Sequence, residues 1–255
     1  MVRRLRSYAR RLLGVVRVPT YYLPWLTRPG LECALLINNI ESRFRPGHNQ
    51  GPFEATVTQY DAAGRVAGRY EATLADSVEA REVPLAAAAM GHGFVTVAAE
   101  RIHSDLYVTL SDGATYTATH GRQEFVEQYP AWTRAVMAAL GATLALAGRT
   151  IPAFVRDQYV YQRPDSRSHL LLLNLSNVTN RLRVVVTRDA TVAASRLLAL
   201  PPMGARLLDV STLAPAAAGG SVDRLRIEGN AWFNLYLVGA GARDLAGPLS
   251  LMHVK

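Results

Sequence analysis

The order of hydrophobic and polar residues divides the chain into an amphipathic start, two β-rich halves and a helical stretch between them. At 100° per residue, the apolar positions of the first seventeen residues fall on one arc, and the arginines fall on the rest of the circle. This pattern predicts a basic amphipathic helix that ends at Pro19. Tyr21, Tyr22 and Trp25 follow it, and such rings are typical of the headgroup depth of a membrane.

The two halves contain short runs rich in Val, Thr, Tyr and Leu, separated by turn signals such as Asp61–Gly64 and Ser111–Gly113. About seven such runs in each half predict antiparallel sheets that pack face to face. The expected fold is mainly β, with two Ig-like β-sandwich units, an N-terminal amphipathic helix and a helical connector.

Similar sequence motifs also occur in the same order in the two halves. Ala34–Asn39 (ALLINN) corresponds to Leu170–Asn177 (LLLLNLSN), and the Leu-Tyr pair at 106–107 corresponds to the pair at 235–236. The similarity keeps its order over about 85–90 residues, which favours a tandem repeat.

An apolar stretch, Ala135–Gly148, separates the two halves. Fourteen helical residues span about 21 Å, which is short of the roughly 30 Å hydrocarbon core of a bilayer. We therefore expect a buried helix or connector, with an interfacial or re-entrant segment as the alternative. The predicted organisation is a basic arm over residues 1–28, a first sandwich over 29–129, a helical connector over 130–150 and a second sandwich over 151–255.

Charge is concentrated in the arm. The chain of 255 residues has a net charge of +8, and residues 1–28 contain seven arginines and no acidic residue. The rest of the chain carries 21 basic and 20 acidic residues, so it offers no basic face for specific nucleic-acid binding. Only Lys255 among the 28 basic residues is a lysine, a bias that is typical of a GC-rich bacterial genome.

A basic helix followed by interfacial aromatic residues predicts a peripheral membrane anchor, or attachment to a membrane protein complex. Because no convincing secretory signal precedes the body, we expect the cytoplasmic side. A helix that docks on the protein itself, or a cleaved targeting peptide, are the alternatives. The residues predicted to contact the membrane or a partner are Arg3, Arg4, Arg6, Arg10, Arg11, Arg17, Leu5, Leu12, Val16, Tyr21, Tyr22 and Trp25.

Few residues suggest chemistry. One cysteine, Cys33, excludes an intramolecular disulfide, and the sequence has no nucleophile elbow, Walker A loop or zinc-protease motif. The direction of successive strands in the first half places His48, His103 and His120 at the same end, where imidazoles suit zinc or a similar metal. Arg43, Arg45 and His48 also form a candidate ligand site in the longest loop.

Three functions compete at this point. A non-catalytic accessory protein, held at a membrane by the arm and binding a protein partner through its loops, is favoured over an enzyme and needs no cofactor. The alternatives are a metal-dependent enzyme that uses the three histidines and a carbohydrate-binding β-sandwich protein.

Overall fold

The computed structural model describes residues 12–38, 53–74, 80–85, 91–99, 106–241 and 250–253. Within these ranges the chain is mainly β, and its strands pair in antiparallel sheets. The first half contains β1 (Val16–Thr27), β2 (Glu32–Asn38), β3 (Phe53–Asp61), β4 (Val66–Leu74), β5 (Ala80–Pro84), β6 (Gly91–Ala99), β7 (Leu106–Ser111), β8 (Tyr116–His120), β9 (Arg122–Gln128) and then α1 (Ala131–Leu146). The second half contains β10 (Phe154–Gln162), β11 (Ser166–Asn174), β12 (Asn180–Arg188), β13 (Thr191–Leu200), β14 (Ala205–Asp209), α2 (Val210–Leu213), β15 (Ser221–Gly229), β16 (Phe233–Gly241) and β17 (Ser250–His253).

Each half has two sheets with the same strand order. The first half forms β4-β3-β6-β1-β9 and β5-β2-β7-β8, and the second forms β13-β12-β15-β10 and β14-β11-β16-β17. When strands are numbered from the start of each half, both halves have the orders 4-3-6-1 and 5-2-7-8. Strand β9 is an addition at the edge of the first sheet, beside β1.

The sandwich-like packing of antiparallel sheets is confirmed, but the predicted Ig-like connectivity is not. An Ig constant domain has the orders 1-2-5-4 and 3-6-7, which differ from the orders described here. Alternating short strands predict that sheets form, whereas packing between distant segments decides which strands become neighbours. The sequence pattern therefore does not specify the connectivity.

One sheet of the second half is buried on both faces. In β11, Leu170, Leu171, Leu172 and Leu173 are all fully buried. Leu170 and Leu172 pack into the core of the second half, whereas Leu171 and Leu173 join the core of the first half. Because successive residues of a strand point to opposite faces, this one strand contributes to both cores. The two halves therefore form a single packed body.

Polar contacts reinforce this joint between the halves. The Asn234 side chain on β16 donates a hydrogen bond to the hydroxyl of Tyr22 on β1, and both residues are fully buried. The rings of Tyr22 and Tyr236 meet edge to face, with their centroids 6.4 Å apart. The Leu207 amide on β14 donates to Nε2 of His92 on β6 at 3.2 Å. A mixed apolar and hydrogen-bonded interface of this kind fixes the register of the two halves.

The predicted helix of the arm does not extend to Arg17, because the chain is already a strand from Val16. Tyr22 and Trp25, predicted at a membrane surface, lie in the core with 0% and 3% of their surface exposed. The Trp25 indole donates to the Tyr60 carbonyl oxygen at 2.8 Å. The strand is packed on both sides from Tyr22 to Thr27, so these two rings stabilise the fold and do not face a membrane.

Two prolines lie within β1, where a central strand normally excludes them. Strand β1 pairs with β9 over Val16–Tyr22 and with β6 over Tyr21–Thr27. Pro19 therefore has only β9 as a neighbour, and Pro24 has only β6. Each proline lies where one side of the strand is unpaired, so its missing N–H breaks no pair of the sheet.

Two glycines of β6 make room for the ring of Trp25. A Cβ at Gly93 would overlap the Tyr60 carbonyl oxygen and lie 2.8 Å from the Trp25 Nε1 atom.

We predict that Gly93→Ala lowers the free energy of unfolding by about 3 kcal/mol, the upper end of overpacking costs. Gly219→Ala is the control, because its added Cβ meets no atom within 4 Å. Its effect in denaturant unfolding should stay within about 0.5 kcal/mol, and equal effects of the two substitutions would contradict this packing.

His92 should make stability depend on pH. Burial, and secondarily the Arg206 charge, lower its pKa below 6.5, and its Nε2 accepts a hydrogen bond. The unfolded chain therefore takes up this proton at higher pH than the folded chain, so this stabilisation is complete above about pH 6.5 and decreases as pH falls. We predict that His92→Gln, which keeps an acceptor, flattens the fall in unfolding free energy between about pH 7.5 and 5.5. An unchanged slope would contradict the prediction.

Candidate functional site

Most residues of the predicted histidine and ligand sites lie outside the described residues. These are Arg43, Arg45, His48 and His103. His120 is described, and it ends β8 as an exposed residue opposite Tyr107 of β7. Within the described part of the chain, no group of three His, Cys, Asp or Glu residues could hold a metal ion. The metal and ligand sites stay predictions.

The strands that flank these segments do end together. Ile37 pairs with Leu106, and Tyr107 pairs with His120, so β2 and β8 end where β7 begins. In the other sheet the start of β3 lies opposite the end of β4. The predicted direction of successive strands therefore agrees with the register of the described strands.

The last part of the basic arm is fixed to the body by an ion pair. Arg17 on β1 donates through Nε and Nη2 to Glu127 Oε1 on β9, at 3.2 and 3.1 Å. The Glu127 side chain is fully buried, and the Tyr129 hydroxyl donates to its other oxygen at 2.7 Å. The Arg17 guanidinium also lies 5.1 Å from the ring centroid of Phe125. Arg17, predicted to face a membrane, instead neutralises a buried carboxylate.

The neighbouring ring of Trp232 joins the two halves at the same place. Arg17 lies 5.9 Å from the ring centroid of Trp232, and Arg156 lies 5.3 Å from it. Phe154 meets the same ring edge to face at 5.3 Å. Cation–π contacts of this kind favour a fixed position for both arginines. Trp232 is therefore engaged in packing between the two halves.

The remaining residues of the arm are exposed, half-buried or outside the described residues. Leu12 and Val16 are 63% and 59% exposed, and Tyr21 is half-buried. The other members of the predicted membrane-binding set lie outside the described residues: Arg3, Arg4, Leu5, Arg6, Arg10 and Arg11. The exposed pair marks the point where the arm meets the described body.

The helix α1 begins next to this point and exposes an apolar surface. Trp132, Val136, Leu140 and Leu146 are 56%, 46%, 51% and 92% exposed. At 100° per residue they belong to one arc of about 140°, which also holds residues 135, 139 and 143, all exposed. We call the exposed side chains of this arc the α1 stripe. It corrects the expectation that the apolar stretch between the halves is buried.

The opposite side of α1 attaches it to the body through small or polar residues. The Thr133 hydroxyl donates to the Leu13 carbonyl oxygen at 2.8 Å, and Gly141 packs against the side chain of Arg181. Met137 contacts a small core cluster that includes Val178. The buried residues of α1 are only Thr133 and Gly141. The helix therefore lies on the surface with its bulkiest apolar side chains pointing outward.

Helix α1 has a defined C-terminal end. Its last turn ends in a Schellman motif, in which the Arg149 amide donates to the Leu144 carbonyl at 2.9 Å and the Gly148 amide to the Ala145 carbonyl at 3.0 Å. Gly148 has a φ of 68°, which a glycine adopts without strain. The motif stops the helix at about 24 Å, from 16 residues at 1.5 Å each.

A groove with two arginines runs along α1. Its volume is about 360 Å³, and Arg134 of α1 and Arg181 of β12 both line it. No acidic residue lines it, and the remaining lining residues are Ala131, Met137, Ala138, Asn177, Val178, Thr179 and Pro202. At 100° per residue, Arg134 lies about 170° around the helix from the centre of the α1 stripe, so the groove is on the side of α1 that faces the body.

Sequence reasoning missed the α1 stripe, and the reason is physical. The helix is apolar on nearly all sides, with Arg134 as its only charged residue, so its sequence does not indicate which face is buried. The one available signal was size, because Thr133 and Gly141 lie on the inner face and Trp132, Val136 and Leu140 lie on the outer one.

Comparisons with models of known protein families and with curated protein sequences give no match to this chain. Among the described residues, no helix is long and apolar enough to cross a membrane. The assignment of function therefore depends on the geometry above.

The Arg17–Glu127 pair gives a direct test of how firmly the arm is attached. Arg17→Met leaves the Glu127 carboxylate buried without its partner, so we predict a loss of about 3 kcal/mol in the free energy of unfolding. Arg65→Met is the matched control, because its partner Asp61 is on the surface and the Arg65 side chain is 81% exposed. That control should cost less than about 1 kcal/mol. Similar losses for the two variants in denaturant unfolding would show that the Arg17 pair does not anchor the arm.

Proposed function

We propose that the protein is a non-catalytic accessory protein, held at the surface of a membrane or within a membrane protein complex by its basic arm. The observation that carries the proposal is the way the arm joins the body. The acid-free basic segment continues into β1, which lies between β6 and β9 in the five-stranded sheet. The strand that carries the tether pairs with β9 over its first part and with β6 over its second, so it cannot leave without breaking both pairings.

The charge distribution supports a negatively charged surface as the target. Five arginines precede Leu12 in the arm, and the body is close to neutral. Juxtamembrane arginines contribute about 1 kcal/mol each at an anionic lipid surface. We place this surface on the cytoplasmic side of a bacterial membrane.

The segment between β2 and β3 is the proposed partner-binding surface. Arg43, Arg45 and His48 belong to the segment between β2 and β3, and the flanking strands end beside His120. Loops at one end of a rigid sandwich are a common location for binding residues. We propose that these residues contact a protein partner.

We also propose that the two halves arose by tandem duplication of one eight-stranded unit. The matching orders 4-3-6-1 and 5-2-7-8 support this origin, together with the ordered sequence similarity. Strand β9 and α1 are then additions that join the two copies.

Co-sedimentation with vesicles tests the membrane function. We expect the full chain to sediment with vesicles of phosphatidylcholine and phosphatidylglycerol at low salt, and to lose most of this binding near 0.5 M salt, where the screening length is only about 4 Å. Replacement of Arg3, Arg4, Arg6, Arg10 and Arg11 by glutamine should weaken binding by about a hundredfold or more.

The five-lysine arm is the matched control, because it keeps the charge and should bind like the wild-type chain. Equal binding of the glutamine arm would contradict the proposal. Binding to native membranes but not to protein-free vesicles would favour attachment through a membrane protein complex.

A further inference from the structure

We propose that α1 is a second membrane-contact element, which lies flat on an anionic bilayer and inserts the α1 stripe at the headgroup boundary. This inference rests on the membrane function proposed above. It adds an apolar contact to the electrostatic one.

The composition and exposure of the stripe support this role. Trp132, Val136 and Leu140 repeat at a spacing of four residues along one face, and Leu146 at the end is 92% exposed. An exposed apolar face of this extent is unusual in a soluble surface, where it marks a contact with a partner or a membrane. Tryptophan is also the residue type that most favours the headgroup region.

The length of α1 fixes its orientation at the bilayer. A helix of about 24 Å is shorter than the roughly 30 Å hydrocarbon core, and its inner face is attached to the body through Thr133 and Gly141. It therefore contacts the bilayer from the side. Helices of this kind bury their apolar face by about 5–10 Å at the boundary between headgroups and acyl chains.

Charge identifies the occupant as an anionic lipid surface and not a second copy of the chain. Arg149 is exposed and directly follows α1, which itself contains no acidic residue. The acid-free arm meets the start of α1, where Leu13 accepts the hydrogen bond of Thr133. Two copies joined through this face would bring these like charges together without a compensating acidic group, which disfavours a dimer.

The same geometry makes the two elements act together. The arm attracts the protein to negative charge over about a Debye length, roughly 8 Å at physiological salt. The α1 stripe then contributes an apolar contact that salt does not screen. Binding should therefore have a salt-sensitive part that depends on the arm and a salt-resistant part that depends on α1.

Tryptophan fluorescence tests the insertion with the full chain. Trp132 is 56% exposed, whereas Trp25 is buried and Trp232 is packed between Arg17 and Arg156. With phosphatidylcholine–phosphatidylglycerol vesicles that carry brominated acyl chains, we expect a blue shift and quenching of the emission. The Trp132→Phe variant should bind but lose both signals.

A charge placed on the stripe tests its energetic role. Leu140→Glu changes a half-exposed residue, so the fold should persist, and we expect vesicle affinity at high salt to fall by about tenfold or more. Val192→Glu is the matched control, because Val192 is 66% exposed and lies on β13 near the β12–β13 turn, at the end of that hairpin opposite Arg181. The control should keep at least half of the wild-type affinity.

The outcomes separate this inference from the membrane function itself. A chain that binds vesicles through its arm, without quenching of Trp132 and without an effect of Leu140→Glu, overturns the role of α1 alone. A chain that does not bind any vesicle overturns both proposals. If the protein is a dimer in buffer and Leu140→Glu converts it to monomers, a second copy of the chain occupies the stripe. If deletion of residues 1–11 shifts the Trp132 emission without lipid, the arm occupies it. Either of these last two results also overturns the inference.

Discussion

The rest of the structure depends on one constraint, which is that the sheet β14-β11-β16-β17 must be covered on both faces. Four consecutive buried leucines, Leu170–Leu173, supply two cores from a single strand. If the halves separated, Leu171, Leu173 and Tyr236 would be exposed to water, at about 25 cal/mol for each Å² of apolar surface. This penalty makes the two sandwich-like halves one rigid body and fixes the position of every attached element.

Because this body is rigid, its exposed features have fixed positions relative to one another. Strand β1 lies inside the shared core, so the arm that precedes it is attached to both halves at once. Arg17 neutralises Glu127 at this attachment, and Trp232 of the second half stacks beside it. Helix α1 lies next to the same place with its larger apolar residues outward. The point where the arm joins the body and the apolar stripe of α1 therefore lie close together, and we propose that this side contacts the membrane.

Local patterns in the sequence predicted part of this fold, namely the antiparallel strands, the repeated order of elements and the helix between the halves. These patterns gave wrong predictions where contacts between residues far apart in the sequence determine the structure. The helical spacing of the arm ran on to Arg17, and Pro19 suggested a helix end, whereas the chain is a strand whose prolines face unpaired positions. Trp25 looked interfacial because the glycines of β6 that accommodate its ring are 66 and 68 positions away. Helix α1 was expected to be buried because a helix that is apolar all round does not show which face packs.

A nitroxide scan along α1 is the most direct measurement of the central claim. Cys33 is buried, and burial raises the pKa of its thiol to about 12, so single cysteines placed on α1 take the label selectively. We expect labels at Val136 and Leu140 to gain oxygen accessibility when anionic vesicles are added, while a label at Ala138, beside the groove, stays accessible to a water-soluble nickel reagent. Accessibilities that do not change with vesicles at any of these positions would contradict the membrane-facing role of α1.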